Sequence, residues 1–249
     1  MTEKATGSRA RNRIVRTSAF LSTALEIVTA EGFDALTMQR LADECDSAIG
    51  AVYRYFPSKG ALVAEVQREA IDRIGLSYAL IRDRSDREWS GLSERELAVT
   101  RLVLFSRFIC ATAQSLPQEL RLMQMLMGET RGVVPIEEAM RVYPTAMRLL
   151  DQLRGGIDAA VEHGMLDPGD TMARVVTWAA AISGVMQVSH LEVFDASLFD
   201  GDALARQLSL DLLAAWGADR GDLDGAVDVV DALAASGPLA PTPAPAPGS

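Results

Sequence analysis

Apolar residues recur at spacings of three and four along nearly the whole chain. No run alternates apolar and polar positions for long enough to require a strand, so the pattern predicts an all-α protein. The first helix is expected from Arg9 to Ala30, with Ile14, Ala19, Leu21, Ala24, Leu25 and Val28 as its apolar stripe and Gly32 as its terminator. Thr37 suits the N-cap of a short helix, Met38 to Cys45. A tight break at Asp46-Ser47 leads to a third helix, Ala48 to Tyr55. Pro57-Ser58-Lys59-Gly60 interrupts the chain again, and Ser58 caps a long fourth helix through about Asp83.

Further along, Arg82 to Gly91 is polar and reads as a loop. Ser93 with Glu96 has capping-box spacing and opens a helix to about Ser115. Pro117 falls in the first turn of the next helix, to about Gly128, and Pro135 opens another that ends at Gly164, with Gly155-Gly156 as a weak point. Asp170 caps a helix through Phe194, and two more are expected over Gly201 to Trp216 and Leu223 to Ala235. The Pro/Ala-rich tail has the composition of a disordered segment. The resulting division is a basic arm over 1–8, expected to be disordered, a headpiece over 9–60, a larger helical domain over 61–235 and a disordered tail over 236–249.

Charge sharpens this division. The chain carries a formal net charge of −10, which should repel DNA. Residues 1–60, however, hold eight Lys/Arg against seven Asp/Glu, or +1, and the remainder holds 16 against 27, or −11. A neutral headpiece with a basic start, carried on an acidic body, suits site-selective DNA binding. Two cysteines, Cys45 and Cys110, are too few for a disulfide framework and fit a reducing compartment. No export pattern follows the basic N-terminus, so a cytoplasmic location is expected. The longest uncharged stretch, Val175 to Leu191, is seventeen residues with several polar members, short of a membrane span, and no membrane association is expected.

Two short helices joined by a tight turn and preceded by a longer one have helix-turn-helix spacing. The third helix would enter the major groove, presenting Tyr53, Arg54 and Tyr55 to phosphates or base edges. Lys59 follows at the start of the fourth helix, where backbone N–H groups favour a phosphate. The ordered, ungapped run Ala24-Leu25-Glu26-Ile27-Val28, Glu31-Gly32-Phe33, Leu36-Thr37-Met38, Leu41-Ala42 and Gly50-Ala51-Val52-Tyr53-Arg54-Tyr55-Phe56-Pro57-Ser58-Lys59-Gly60-Ala61-Leu62 resembles the headpiece of the TetR family of transcriptional regulators. The resemblance covers about residues 10 to 63. It implies a three-helix helix-turn-helix domain on a larger helical body that binds ligand and dimerises. It also implies a homodimer on a palindromic operator and, in most members, repression relieved by a small molecule.

Carried over by position, the resemblance implies that Thr37 and Gln39 approach the DNA backbone. Gly50 would let the third helix lie close to the duplex, and Ile49 could meet a thymine methyl. Tyr53, Tyr55 and Lys59 would contact phosphates, and Arg54 a base or phosphate. The turn departs from the family, which usually has Ala-Gly-Val-Ser where Cys45-Asp46-Ser47-Ala48 stands here. Asp46 would have to take the left-handed conformation that glycine tolerates, and Asp46 or Ser47 would have to cap the third helix.

In the body, the family assigns the pocket to the middle helices and dimerisation to the last long ones. The helix after Asp170 is apolar nearly all round, with Ala181 and Gly184 permitting close approach, and the helix ending at Trp216 is similar. Two such helices per subunit suit a two-fold four-helix interface, setting recognition helices roughly 34–36 Å apart. Met123, Met125, Met127, Met140, Met147 and Met186 are a dense set of flexible apolar side chains, which suits a variable, apolar effector or simply a core. Tyr143, Trp178, Gln187 and His190 are candidates to orient such a ligand.

An enzymatic role finds no support. His163 and His190 stand in no Glu-x-x-His pair, and no metal-spaced Cys/His cluster, P-loop or Gly-x-Ser-x-Gly elbow is present. No cofactor or metal is expected. A second alternative is a DNA-binding dimer of the same fold that takes no small molecule.

Overall fold

The computed structural model describes residues 2–125 and 135–240. All regular elements among them are helical. The chain divides into two units, Met1–Asp72 with Arg121–Ala146, and Arg73–Leu120 with Met147–Ser249.

The first unit holds α1 (Thr2–Glu31), a 3-10 turn (Phe33–Ala35), α2 (Met38–Glu44), α3 (Ile49–Tyr55) and the start of α4 (Lys59–Glu88). It also holds the end of α6 (Pro117–Gln124) and the start of α7 (Ile136–Glu162). The arm expected to be disordered is instead part of α1, because between Thr2 and Arg9 only Gly7 is a poor helix former and no proline intervenes. Gly32 stops α1 at φ 86, where a side chain would be strained. Phe20, Leu21, Ala24, Ile27 and Val28 of α1 then bury against Leu36, Leu41, Ala42, Val52, Phe56, Leu62, Val66 and Leu122. A smaller cluster joins Val63, Ala64, Ile71 and Val142, with Phe33 and Met123 against it. Gln67, fully buried, donates from Nε2 to the Leu122 carbonyl at 3.1 Å. The sequence division placed 61–235 in one domain, whereas Arg121–Ala146 groups with Met1–Asp72.

The second unit is organised on α5 (Glu94–Ser115), whose apolar residues are buried along most of its length. Its N-terminus is a full capping box. Ser93 Oγ accepts from the Glu96 N–H, and the Glu96 carboxylate accepts from the Ser93 N–H at 2.8 Å. The helix α5 packs against α9 (Gly201–Ala215) and α10 (Arg220–Ser236), and α8 (Thr171–Val188) lies along α9. At its centre Phe105 meets Tyr78 edge-on at 5.0 Å and Trp178 at 5.3 Å. The Trp178 indole N–H donates to Ser209 Oγ at 3.1 Å, as does Ser106 Oγ at 2.7 Å, while Ser209 donates to the Ala205 carbonyl.

Three boundaries differ from the sequence pattern. The segment expected to be a loop from Arg82 continues as α4 to Glu88, because Ser85 and Trp89 are buried and Arg84 donates to the Leu233 and Gly237 carbonyls. No break occurs at Gly155-Gly156. Helix α7 runs through them, and a Cβ on Gly156 would stand 2.8 Å from Leu102 Cδ2, so that glycine serves close approach to α5. The α-helix expected through Phe194 ends at Val188 and tightens into a 3-10 turn, Ser189–Val193. Pro144 sits inside α7. No helix among the described residues is long and apolar enough to cross a membrane.

Candidate DNA-binding surface

The helical period splits α3 into two faces. Val52 is fully buried and the C-cap residue Phe56 nearly so, both in the headpiece core. One step round, Ile49 is 39% and Tyr53 47% exposed, and Gly50 and Arg54 are exposed beside them. Nothing lies within 4 Å of where a Gly50 side chain would begin. Four of the eight predicted contact residues therefore share one outward face on a helix anchored from behind.

The turn that aims this helix is a Schellman closure of α2. The Ser47 N–H donates to the Ala42 carbonyl at 2.9 Å and the Asp46 N–H to the Asp43 carbonyl at 3.2 Å. The closure requires a left-handed residue, and Asp46 supplies it at φ 44. The expectation that Asp46 or Ser47 would cap α3 fails, because the N-cap is Ala48 and it offers no side-chain bond. Ser47 Oγ is already engaged, donating to the Cys45 carbonyl and accepting from Arg16 at 2.9 Å.

The remaining predicted residues flank this face. Thr37 is the N-cap of α2, its Oγ1 accepting from the Arg40 N–H at 3.0 Å, and Gln39 Nε2 donates to Asp43 at 2.7 Å; both are exposed. Tyr55 is half-buried, its ring edge-on to Phe20 at 5.3 Å. Lys59 holds its ammonium 5.2 Å from the Phe33 ring centre. Arg40 lies near by but is neutralised, bonded to Glu44 at 2.9 Å and Glu31 at 2.8 Å, which raises its pKa further. The sequence reading assigned no site role to Asn12, Arg13 or Arg16, which line a groove beside α3 with Arg54 and Tyr55. Their spacing of three to four on α1 was visible, but their position next to α3 required the packing.

A model of bacterial regulatory proteins of the tetR family matches residues 20–66, which contain this surface. Residues 20–66 therefore carry a TetR-type headpiece. Among curated TetR-type relatives, the HTH-type transcriptional repressor KstR of Mycobacterium tuberculosis is 31% identical over 87 residues, 35% of this chain and 36% of the relative. KstR of Mycolicibacterium smegmatis is 34% identical over 74 residues, 30% and 35% of the two chains. The matches thus span about a third of those relatives' length. Among solved structures, RolR in complex with resorcinol superposes with a TM-score of 0.56 at 16% identity, covering 89% of this chain and 95% of that one. This is a likeness of fold, and it extends beyond the headpiece to most of the chain.

The residues expected to bind ligand are distributed over both units. Met123, Met140 and Tyr143 belong to the first unit, the latter two exposed, and Met147, Trp178, Met186 and Gln187 to the second. Met127 and the side chain of His190 lie outside the described residues. Trp178 is buried with its N–H already bonded to Ser209. Met186 lines a cavity of about 240 Å³ with Cys110, Gln114, Glu192, Asp200 and Asp202. Burial pushes the Cys110 thiol up to about 12, with the Asp202 carboxylate adding to the effect. No group of three His, Cys, Asp or Glu among the described residues is arranged to hold a metal ion.

Proposed function

We propose that the chain is a transcriptional regulator, a repressor that binds a palindromic operator as a homodimer and is released by a small molecule with an apolar body. The observation that carries the DNA-binding part is the outward face of α3, Ile49, Gly50, Tyr53 and Arg54, on a helix whose back is buried at Val52. In this reading Arg54 reaches a base or phosphate, Ile49 a thymine methyl, and Thr37, Gln39, Tyr53, Tyr55 and Lys59 the backbone on either side. The headpiece over 9–60 reads DNA, and the domain over 61–235 regulates it.

The outer side of α8 supports self-association. Met172, Val176, Ala180, Gly184 and Val188 are exposed at steps of four residues, Val176 by half. Such a narrow stripe of small and apolar groups suits an antiparallel partner helix from a second copy. That the RolR structure holds resorcinol supports a small-molecule effector. Release by such an effector requires that it bind the two headpiece arrangements with different affinities.

Selection of genomic DNA fragments by the full-length protein, followed by gel-shift titration, tests the reading. A palindromic site is expected, bound by wild type and lost in Tyr53→Ala/Arg54→Ala. Light scattering should give a dimer that Val176→Asp dissociates. Enrichment of no fragment, or unchanged affinity in the double variant, overturns the DNA-binding assignment.

A further inference from the structure

On the flank of α3 lies an open groove of about 430 Å³, lined by Asn12, Arg13 and Arg16 of α1 and Arg54 and Tyr55 of α3. No carboxylate is among its lining residues. In a chain with 34 acidic and 24 basic residues, pairing is the ordinary fate of an arginine. Arg40, Arg68, Arg73, Arg101, Arg107 and Arg220 all have a carboxylate within about 3 Å. Among the described residues, Arg13, Arg16 and Arg54 have no such ion pair.

Two of these guanidinium groups are nonetheless held. Arg13 lies over the Tyr55 ring at 5.8 Å and Arg16 over the Phe20 ring at 5.8 Å. Tyr55 and Phe20 in turn pack edge to face at 5.3 Å. Stacking on an aromatic face occupies none of a guanidinium's five N–H donors, and Arg16 commits only one nitrogen, to Ser47. The result is a set of oriented, uncommitted donors, fixed beside the outer face of α3 by the same α1–α3 packing that builds the headpiece core. Their fork geometry matches the paired oxygens of a phosphate.

We propose that this groove is a phosphate cradle for the backbone of duplex DNA, gripping the strand that flanks the major groove entered by α3. Tyr55 then serves as the platform for Arg13 in addition to its own backbone contact. The proposal rests on the DNA-binding reading above.

The test uses the full-length protein, the duplex selected above and a scrambled duplex of equal length, with affinity measured by fluorescence anisotropy across salt concentrations. The cradle predicts that Arg13→Gln lowers the slope of log K against log salt by about 1 on both duplexes, leaving the ratio between them unchanged. Arg13→Gln/Arg16→Gln should lower it by about 2. Since Arg16 also bonds Ser47, the single variant, whose altered side chain makes no hydrogen bond among the described residues, decides the matter if the double variant unfolds. An unchanged slope in Arg13→Gln overturns the cradle while leaving the DNA-binding reading intact. Failure of wild type to bind either duplex overturns that reading instead. Thermal stabilisation by inorganic phosphate that Arg13→Gln abolishes, with the salt slope unmoved, assigns the groove to free phosphate and likewise overturns the proposal.

Discussion

Replacing Asp46 by glycine should stabilise the protein, and the size of the gain follows from two opposed effects. A residue with a Cβ at φ 44 carries left-handed strain of about 1–2 kcal/mol, which glycine does not. Against this, glycine loosens the unfolded chain, at a cost of roughly 0.4–1 kcal/mol. The Schellman bonds from Asp46 and Ser47 come from backbone N–H groups and survive the change. The net expectation for Asp46→Gly is about 0.5–1 kcal/mol of added stability, or roughly 2 °C in Tm for a chain of this size. Asp46→Asn keeps a side chain tolerant of the left-handed region and should leave Tm within about 1 °C, because only the charge changes. Asp46→Ala keeps the strain and should gain nothing. The same series separates stability from DNA binding. At a distance of about 8 Å in water, one negative charge opposes a phosphate by roughly 0.5 kcal/mol. Both Asn and Gly should therefore tighten DNA binding about two- to threefold at low salt, an effect that fades as salt rises. Thermal melts by circular dichroism and anisotropy titrations give the two readouts. If Asp46→Gly melts below wild type, or Asp46→Ala matches Asp46→Gly, the left-handed turn is not the source of strain.

Other outcomes can be stated more briefly. Thr37→Ala removes the α2 cap and should cost about 1 kcal/mol in urea unfolding, with Thr37→Ser restoring most of it. Ser209→Ala leaves the Trp178 N–H without its acceptor and Ser106 without its partner in a buried site, and should cost about 2 kcal/mol; Ser106→Ala, which spares the Trp178 bond, should cost less. Cys110 should resist thiol reagents at pH 8 in the native protein while half-buried Cys45 reacts, and both should react in denaturant. Because the Cys110 value is raised, folded and unfolded states bind the same proton below the ordinary thiol value of 9.0, and its effect on stability appears only above it. Stability should then fall as pH rises from 9.0 toward about 12, and Cys110→Ala should remove that part of the decline.

What the sequence disclosed divides by the range of the interactions involved. Thr37, Ser93 and Asp170 were legible as caps because each bonds an N–H three residues on. Asp46 was legible as left-handed because it stands where the resembled turn carries glycine. The extension of α4 past Asp83 was not, since Arg84 finds its acceptors at Leu233 and Gly237, about 150 residues away in the chain. Nor was the commitment of Trp178 to the core, which depends on a serine of α9. The same logic separates the two candidate sites. The proposed DNA-binding face occupies one two-turn helix, so the period alone puts Ile49, Gly50, Tyr53 and Arg54 together. The methionines come from several helices and from both units, and residue type alone could not say which of them share a cavity.

Charge pairing reconciles an acidic protein with the proposed DNA-binding role. Beyond residue 60 the net charge is −11, yet most of the arginines there are tied to carboxylates on the same or a neighbouring helix. That region therefore offers a duplex little local attraction and a diffuse repulsion, which salt at physiological strength screens beyond about 8 Å. On the headpiece, Arg13, Arg16 and Arg54 line one groove with no ion pair to a carboxylate among the described residues. Attraction is thus confined to contacts closer than the screening length. A duplex meeting the acidic body gains little, whereas one seated on α3 would gain the phosphate contacts proposed above. On this argument the acidic body suppresses non-specific binding more than specific binding, and the ratio of the two affinities should narrow as salt screens the body's repulsion.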